Sequence, residues 1–453
     1  MSDIKQAGGI PVAAVLASVA GEEHSDHDDR EAARRIRRII SAGAFGTIVE
    51  YFDFSVYAFL ATVIANVFFA SDNPTAALLY TLGVFGASFV LRPLGGILIG
   101  HLSDRYGRRP ALTLSVAGMA FASTAIGLLP SYATVGIAAP VLLFLLRCVQ
   151  GLSAGGELGS AASYVAEVAP DGQRGRLTST MNLGTMIGTM LGSASVAVLH
   201  VSMSHDALLA WGWRIPFLVS LPLGLITLVL RWRMEESQQF ERLEQTGSVA
   251  RAPALEALRS NPRGVLTVCG LSLASFMSYY LTFTYMSTYF QRQNVMSGTA
   301  AAWSTTATLI LAMFVIPFWG RMSDRVGRRP LLIAVCAADL VLAYPAFLVM
   351  SHSVAAAVLA QIVLGQLEAL YMSVILSTYC EQFPARVRAS GFNLGYNLAS
   401  ILAGGTAPYL ATWLIAATGD AKAPAWMLLV AAAISLGTAL TLRETARRPL
   451  PMV

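Results

Sequence analysis

Ionisable side chains set inside apolar sequence are the part of this chain best suited to chemistry, and they are few. Glu50 and Asp53 stand three apart in the run GTIVEYFDFSVYAFLA, with Tyr57 one turn beyond Asp53, so a helix places all three on one face. Two close carboxylates in a low-dielectric medium resist joint ionisation, which suits one of them to carry a proton. A second apolar run holds Arg147, Gln150 and Glu157 within one broad helical arc. A guanidinium does not release its proton, so Arg147 is a fixed positive charge that holds an anion or alternates as a partner of Asp53. The blander alternative is a permanent Asp53–Arg147 structural pair. Arg92, in another apolar run, is a second candidate anion contact, and Arg214 is divided between substrate and headgroups.

The second half of the chain offers a different set. Its apolar runs contain no Arg or Lys, but they carry Tyr279, Tyr280 and Tyr285, then Glu368, then Asn393, Tyr396 and Asn397. These suit hydrogen bonding and shape selection, with Tyr280, Asn393 and Asn397 as the candidate contacts, although aromatic runs on membrane helices also serve packing. Asp339 and Glu368 are lone acids without an evident cation in their half. The expectation is that the first half grips a substrate's charge and the second shapes the cavity.

The elements that must hold these groups follow from composition. The chain is 55% hydrophobic and 13% charged, with a mean hydropathy of +0.60, too apolar for a soluble protein of its length. The +5 formal charge is carried mostly by arginines between apolar runs, so it reports membrane orientation and not a nucleic-acid partner. Apolar runs long enough to cross a hydrocarbon core, which takes about 20 helical residues, fall at 40–69, 77–102, 111–129, 137–168, 178–201, 212–232, 264–290, 300–321, 331–350, 354–381, 391–416 and 424–442. Basic residues cluster in alternate loops, on the side shared with the N-terminal tail, which makes both termini cytoplasmic. Cys148, Cys269, Cys336 and Cys380 lie singly with no metal-ligand spacing and read as packing residues. No metal or other cofactor is expected. His24 and His27 belong to a tail that reads as solvated.

The turn GHLSDRYGRRP, Gly100 to Pro110, returns as GRMSDRVGRRP, Gly320 to Pro330. Its recurrence between apolar runs makes the fold an all-α membrane protein of twelve transmembrane helices in two pseudo-symmetric six-helix halves. The expected organisation is a cytoplasmic tail 1–39, a first bundle 40–232, a linker 233–263 with a short amphipathic helix around Phe240 and Leu243, a second bundle 264–442 and a tail 443–453. In the turn, Gly100 and Gly107 permit close packing, while Asp104 can accept from backbone amides and pair with Arg105, Arg108 and Arg109. Asp324, Arg325 and Arg328 repeat the arrangement. Exposed contacts of modest strength would make it a breakable conformational latch.

The doubled G-x-x-x-D-R-x-G-R-R signature resembles that of the major facilitator superfamily. More narrowly, Gly46 to Ala61, RPLGGILIGHLSDRYGRR (Arg92 to Arg109), RCVQGLSAGGELG (Arg147 to Gly159) and WGWRIPF (Trp211 to Phe217) resemble its metabolite:proton symporter family. Members of that family carry citrate and related carboxylates, 2-oxoglutarate, shikimate, or osmolytes such as proline and betaine. The resemblance implies a secondary active transporter working by alternating access in the bacterial inner membrane. Its coupling ion would be the proton, and its functional unit a monomer. The leading expectation is uptake of a small organic acid, with protonation of the helix 1 carboxylate freeing Arg147 for the substrate. A zwitterionic osmolyte is the alternative cargo, and a membrane sensor that has lost transport is the alternative class. An enzyme is disfavoured, because no HExxH, GxSxG or nucleotide-binding loop occurs.

Overall fold

The computed structural model describes residues 44–69, 71, 73–106, 108–170, 172–232, 253–384 and 387–451. The tail with His24 and His27, the segment around Phe240 and Leu243, Gly107, and the surroundings of Gly100, Asp104, Arg105, Arg108 and Arg109 lie outside the described residues.

Helix α1 runs Ala44–Phe59 and, after a 65° bend, Ala61–Phe68. Then come α2 (Pro74–Val90 and Arg92–Tyr106), α3 (Arg108–Leu128), α4 (Ala138–Ala154 and Glu157–Val168), α5 (Arg174–Ser202) and α6 (His205–Gly212 and Arg214–Trp232). In the second half lie α7 (Pro262–Arg292), α8 (Gly298–Val326), α9 (Arg328–Val349), α10 (Val354–Cys380), α11 (Arg388–Ala403 and Ala407–Thr418) and α12 (Ala423–Thr441). Among the described residues, nine of these are long and apolar enough to cross a membrane. Helices α1 and α6 are bent pairs, and α3 carries a shorter apolar stretch, Thr113–Leu128.

The starts are written locally. Asn73 accepts from the amides of Thr75 and Ala76 ahead of Pro74. Asn261, Ser297 and Ser353 cap α7, α8 and α10 in the same way. The core is apolar, and so is much of the outer surface. Phe314, Ile137, Trp232 and Leu266 are each at least 69% exposed, as expected of side chains that face lipid.

The two most extensive helix pairs joining the halves are α5 with α8 and α2 with α11, and α5–α10 and α4–α11 add to them. A two-fold axis that exchanges α2 with α8 and α5 with α11 turns one pair into the other, so these contacts express the sequence repeat. Small residues allow the close approach. A side chain at Gly175 or Gly320 would strike the opposing helix, and Gly86 sits against the Gly405 backbone.

The repeated charged turn is a helix corner and not a loop. Helix α8 continues to Val326, Gly327 turns with φ +114°, and α9 begins at Arg328. Only glycine suits Gly327, because the φ is unfavourable for an L side chain and a Cβ would meet the Glu444 carboxylate.

Candidate functional site

The intramembrane charges of the first half converge at its centre. Glu50 of α1 pairs with Arg92 of α2 at 3.2 Å, and both are buried. The Arg92 guanidinium also stacks on Phe54 (4.6 Å) and Phe89 (4.3 Å). Asp53, fully buried, accepts from two hydroxyls, Ser123 Oγ of α3 at 2.5 Å and Ser220 Oγ of α6. Arg147 of α4, also fully buried, donates to Gln150 Oε1 (2.7 Å) and Ser88 Oγ (3.4 Å). It lies over Tyr57 (4.3 Å), Phe85 (4.9 Å) and Phe54 (5.0 Å). Gln150 Nε2 donates in turn to Ser123 Oγ (2.6 Å), which completes a chain from Arg147 through Gln150 and Ser123 to Asp53.

This geometry corrects two expectations. Glu50 and Asp53 share a helix face, but they do not act as a dyad, because one is held by Arg92 and the other by serines. Asp53 and Arg147 form no ion pair; an amide and a hydroxyl lie between them. Arg147 is therefore balanced by aromatic faces and neutral oxygens. Its Nε, the Nε of Arg92 and the Tyr280 hydroxyl are buried without hydrogen-bond partners.

Aromatic rings enclose these charges from both halves. Tyr280 lies edge-on to Phe89 (5.2 Å) and stacks on Phe276 (6.2 Å). Tyr51 meets Tyr279 (5.9 Å) and its hydroxyl reaches that of Tyr396 (3.4 Å). Tyr57 keeps its hydroxyl on the Thr81 carbonyl (3.0 Å) and stacks on Phe85. Helix α7 is π-helical over Tyr280–Tyr285, and such irregular turns are common at functional sites.

Asn393 and Asn397 do not point into this chamber. Asn397 Nδ2 donates to the Gly155 carbonyl (2.8 Å) and Asn393 Nδ2 to that of Gly156 (3.5 Å), so both bind the break in α4. Gly155 is confined there, since a Cβ would strike the Arg92 carbonyl. Glu157, at the start of the second part of α4, lines with Glu50, Ser115, Ser153 and Thr227 a cavity of about 20 Å³, room for one water. Arg214 donates to the Gly127 and Leu129 carbonyls and stays outside the chamber.

The end of the molecule that bears the repeated turn is closed by contacts between halves. Asp324 accepts from the Gly175 (2.8 Å) and Arg176 (2.9 Å) amides at the start of α5, serving that helix as a cap from the other half. Arg328 holds Asp324 (2.8 Å) and Glu381 (3.4 Å), Arg174 pairs with Glu381 (2.8 Å), and Arg388 pairs with Glu167 (2.6 Å). Arg325 is exposed and offers its carbonyl to Arg447. Contrary to expectation this network is buried: Asp324 is 8% exposed, and Arg328 and Arg388 are almost wholly enclosed. It remains breakable because separation of the halves would rehydrate the charges as their Coulomb attraction is lost. At the other end Arg292 reaches Thr75 (2.8 Å) and Thr306 reaches Ser193 (2.9 Å), so the centre is sealed on both sides.

Asp324→Asn is expected to shift the population toward opening at this end by about tenfold, since hydrogen bonds to an ionised acceptor contribute roughly 1.5–3 kcal/mol. Labelling of a cysteine placed on the α5 wall checks it. Glu444 makes a second cap, accepting from the amides of Arg328, Arg329, Thr445 and Ala446 at 2.9–3.0 Å. Burial pushes its carboxyl up, but the four donors together outweigh it and hold the group below its ordinary value. A depressed carboxylate stabilises the fold above its unfolded value of about 4.3 and loses that contribution as pH falls through the folded one. Protection of the Arg328 and Arg329 amides against hydrogen exchange, relative to the intrinsic rate at each pH, is therefore expected to fall in that acidic window, and to lose this pH dependence in Glu444→Gln.

A description of the Major Facilitator Superfamily matches residues 43–296 and 268–451. The chain belongs to the Major Facilitator Superfamily. It is a multi-pass membrane transporter of that superfamily's twelve-helix, two-half architecture and not an enzyme. It is 37% identical to a proline/betaine transporter of Salmonella typhimurium, over 92% of this chain and 85% of that one. It is 36% identical to an alpha-ketoglutarate permease of Escherichia coli, over 91% and 95%. A solved proton:xylose symporter superposes with a TM-score of 0.75 at 19% identity, covering 92% of this chain and 98% of the other, a likeness of fold.

Several residues of the superfamily member's centre escaped the sequence reading. Phe85, Phe89 and Arg92 follow at helical spacing, so an aromatic shelf beneath Arg92 was legible. Ser88, Ser123 and Ser220 carried no such signal, because serine in a membrane helix commonly bonds its own backbone, as Ser195 and Ser202 do here.

Proposed function

We propose that this transporter couples proton movement to uptake of a small zwitterion with a carboxylate and a quaternary or secondary ammonium, of the proline and betaine kind. The observation that carries the reading is the charge balance of the sealed centre. Arg92 is neutralised by Glu50, which leaves Arg147 and Asp53. When Asp53 is protonated the centre holds one net positive charge, on Arg147; a zwitterion is neutral overall, so its carboxylate pairs with Arg147 and its ammonium needs a separate, uncharged seat. A tricarboxylate brings more negative charge than the centre can match. The ammonium end meets Tyr280, Phe276, Phe89 and Tyr51, whose faces attract cations by their quadrupoles. The 37% identity to a proline/betaine transporter supports the same class.

In this scheme Arg147 anchors the carboxylate, and Asp53 carries the proton through the Ser123–Gln150 link. Residues 40–232 and 264–442 rock as two bodies joined by 233–263. The end bearing the repeated turns faces the cytoplasm together with both termini, in a bacterial inner membrane, and the functional unit is one chain. A second reading, a dicarboxylate cargo, draws on the 36% identity to an alpha-ketoglutarate permease. It requires Glu50 to take up a proton and release Arg92, which raises the net charge by one. Uptake of labelled glycine betaine by cells producing the protein, challenged with excess proline, 2-oxoglutarate and citrate, separates the readings. Competition by proline alone supports the zwitterion, and competition by 2-oxoglutarate supports the dicarboxylate.

A further inference from the structure

The second half holds two acids that this scheme does not use. Glu368 of α10 is 1% exposed and Asp339 of α9 is 5% exposed. Among the described residues, neither forms an ion pair. Ser275 Oγ of α7 donates to Glu368 Oε1 at 2.8 Å. Ser278, one turn further along α7, lies near the same carboxyl, and its buried hydroxyl stops short of a well-formed hydrogen bond to it. The titratable groups turned toward Glu368 are Asp339 and Cys336 of α9, Tyr279 of α7 and Tyr379 of α10, and none brings positive charge.

A carboxylate so enclosed lacks the cation that normally accompanies one in a membrane interior. A bound proton removes the charge and adds a donor, for which the nearby Ser278 oxygen is a candidate acceptor. The site is also mechanically connected. Tyr279 beside it touches Thr189 of α5 across the two halves, and the π-helical turn of α7 begins at the next residue. A change of donor and acceptor at Ser275 and Ser278 therefore acts on the helix that lines the chamber.

We propose that Glu368, with Asp339 as its electrostatic neighbour, is a second proton-binding site that fills and empties once per transport cycle. The proton is taken from water on one side and given to water on the other, with no other bond made or broken. The inference rests on the proton-symport reading above.

The test is the ratio of charge to substrate, measured as current and labelled glycine betaine uptake by the full-length protein in the same proteoliposomes. Each proton carried with a neutral zwitterion moves one positive charge. Wild type is expected to move about two charges per substrate, and Glu368→Gln, which is neutral and of the same shape, roughly half that, with counterflow exchange retained. An unchanged ratio in an active Glu368→Gln overturns the inference. Sodium-driven uptake that Glu368→Gln abolishes also overturns it, by making the pair a metal-ion site. Should the variant lose counterflow as well, infrared spectra decide: a carboxylic-acid carbonyl band present in wild type and missing from Glu368→Gln supports the proposal, and no such band refutes it. Failure of the underlying reading looks different, since wild type itself would then move substrate without charge.

Discussion

Replacing Arg147 by glutamine is expected to lower substrate uptake by about 100-fold, corresponding to the roughly 3 kcal/mol upper range of a charge-assisted contact. The side chain is fully buried on Tyr57, Phe85 and Phe54 and held by Gln150 and Ser88, yet it faces no carboxylate of its own. Its charge is therefore available to a ligand. Glutamine removes a buried cation that forms no direct ion pair, so the variant is expected to fold. Lysine is not an adequate substitute. An ammonium keeps the charge but cannot reproduce the planar stack on Tyr57 together with donation to Gln150 and Ser88, so Arg147→Lys is expected to remain strongly impaired. Labelled uptake alongside a folding check by size-exclusion chromatography measures both.

Asp53→Asn is expected to give the complementary result, with accumulation against a gradient reduced and substrate exchange across the membrane kept. Asparagine preserves an oxygen acceptor for one of the two serine hydroxyls, but it fixes the group in a neutral state resembling the protonated acid. Arg147 then stays available to the substrate carboxylate, and binding persists. What disappears is the coupling through Asp53, because this group no longer has to bind and release a proton for the halves to move. Loss of exchange and accumulation together would instead mark Asp53 as a structural acceptor for α3 and α6.

The fold was legible because membranes impose a simple code. Apolar length gave each span, arginine placement separated the alternate loops, and the repeated turn revealed two halves. The site was legible only in its charges. Glu50, Asp53, Arg92 and Arg147 stood out because charge inside an apolar run is costly, and all four meet at the centre. Their pairing did not follow from spacing, because a three-residue offset on α1 says that Glu50 and Asp53 share a face but not which neighbouring helix each meets. Arg92 claims one and the serines of α3 and α6 the other. Asn393 and Asn397 misled for a related reason. Their amides resemble ligand contacts in sequence, whereas the glycine break in α4 exposes carbonyls that only the tertiary structure brings to them.

Arg147, the central guanidinium that forms no ion pair among the described residues, favours a zwitterionic cargo over a multiply charged acid. Counted along the chain, the first half looks rich in cations. Counted after ion pairing, it offers one.

The most direct test is accumulation of labelled glycine betaine in proteoliposomes of the purified full-length chain under an imposed inward pH gradient at zero membrane potential. The account predicts transient accumulation above the external concentration, collapsed by a protonophore and undiminished by excess citrate. Uptake that only equilibrates, or that ignores the gradient, would contradict it.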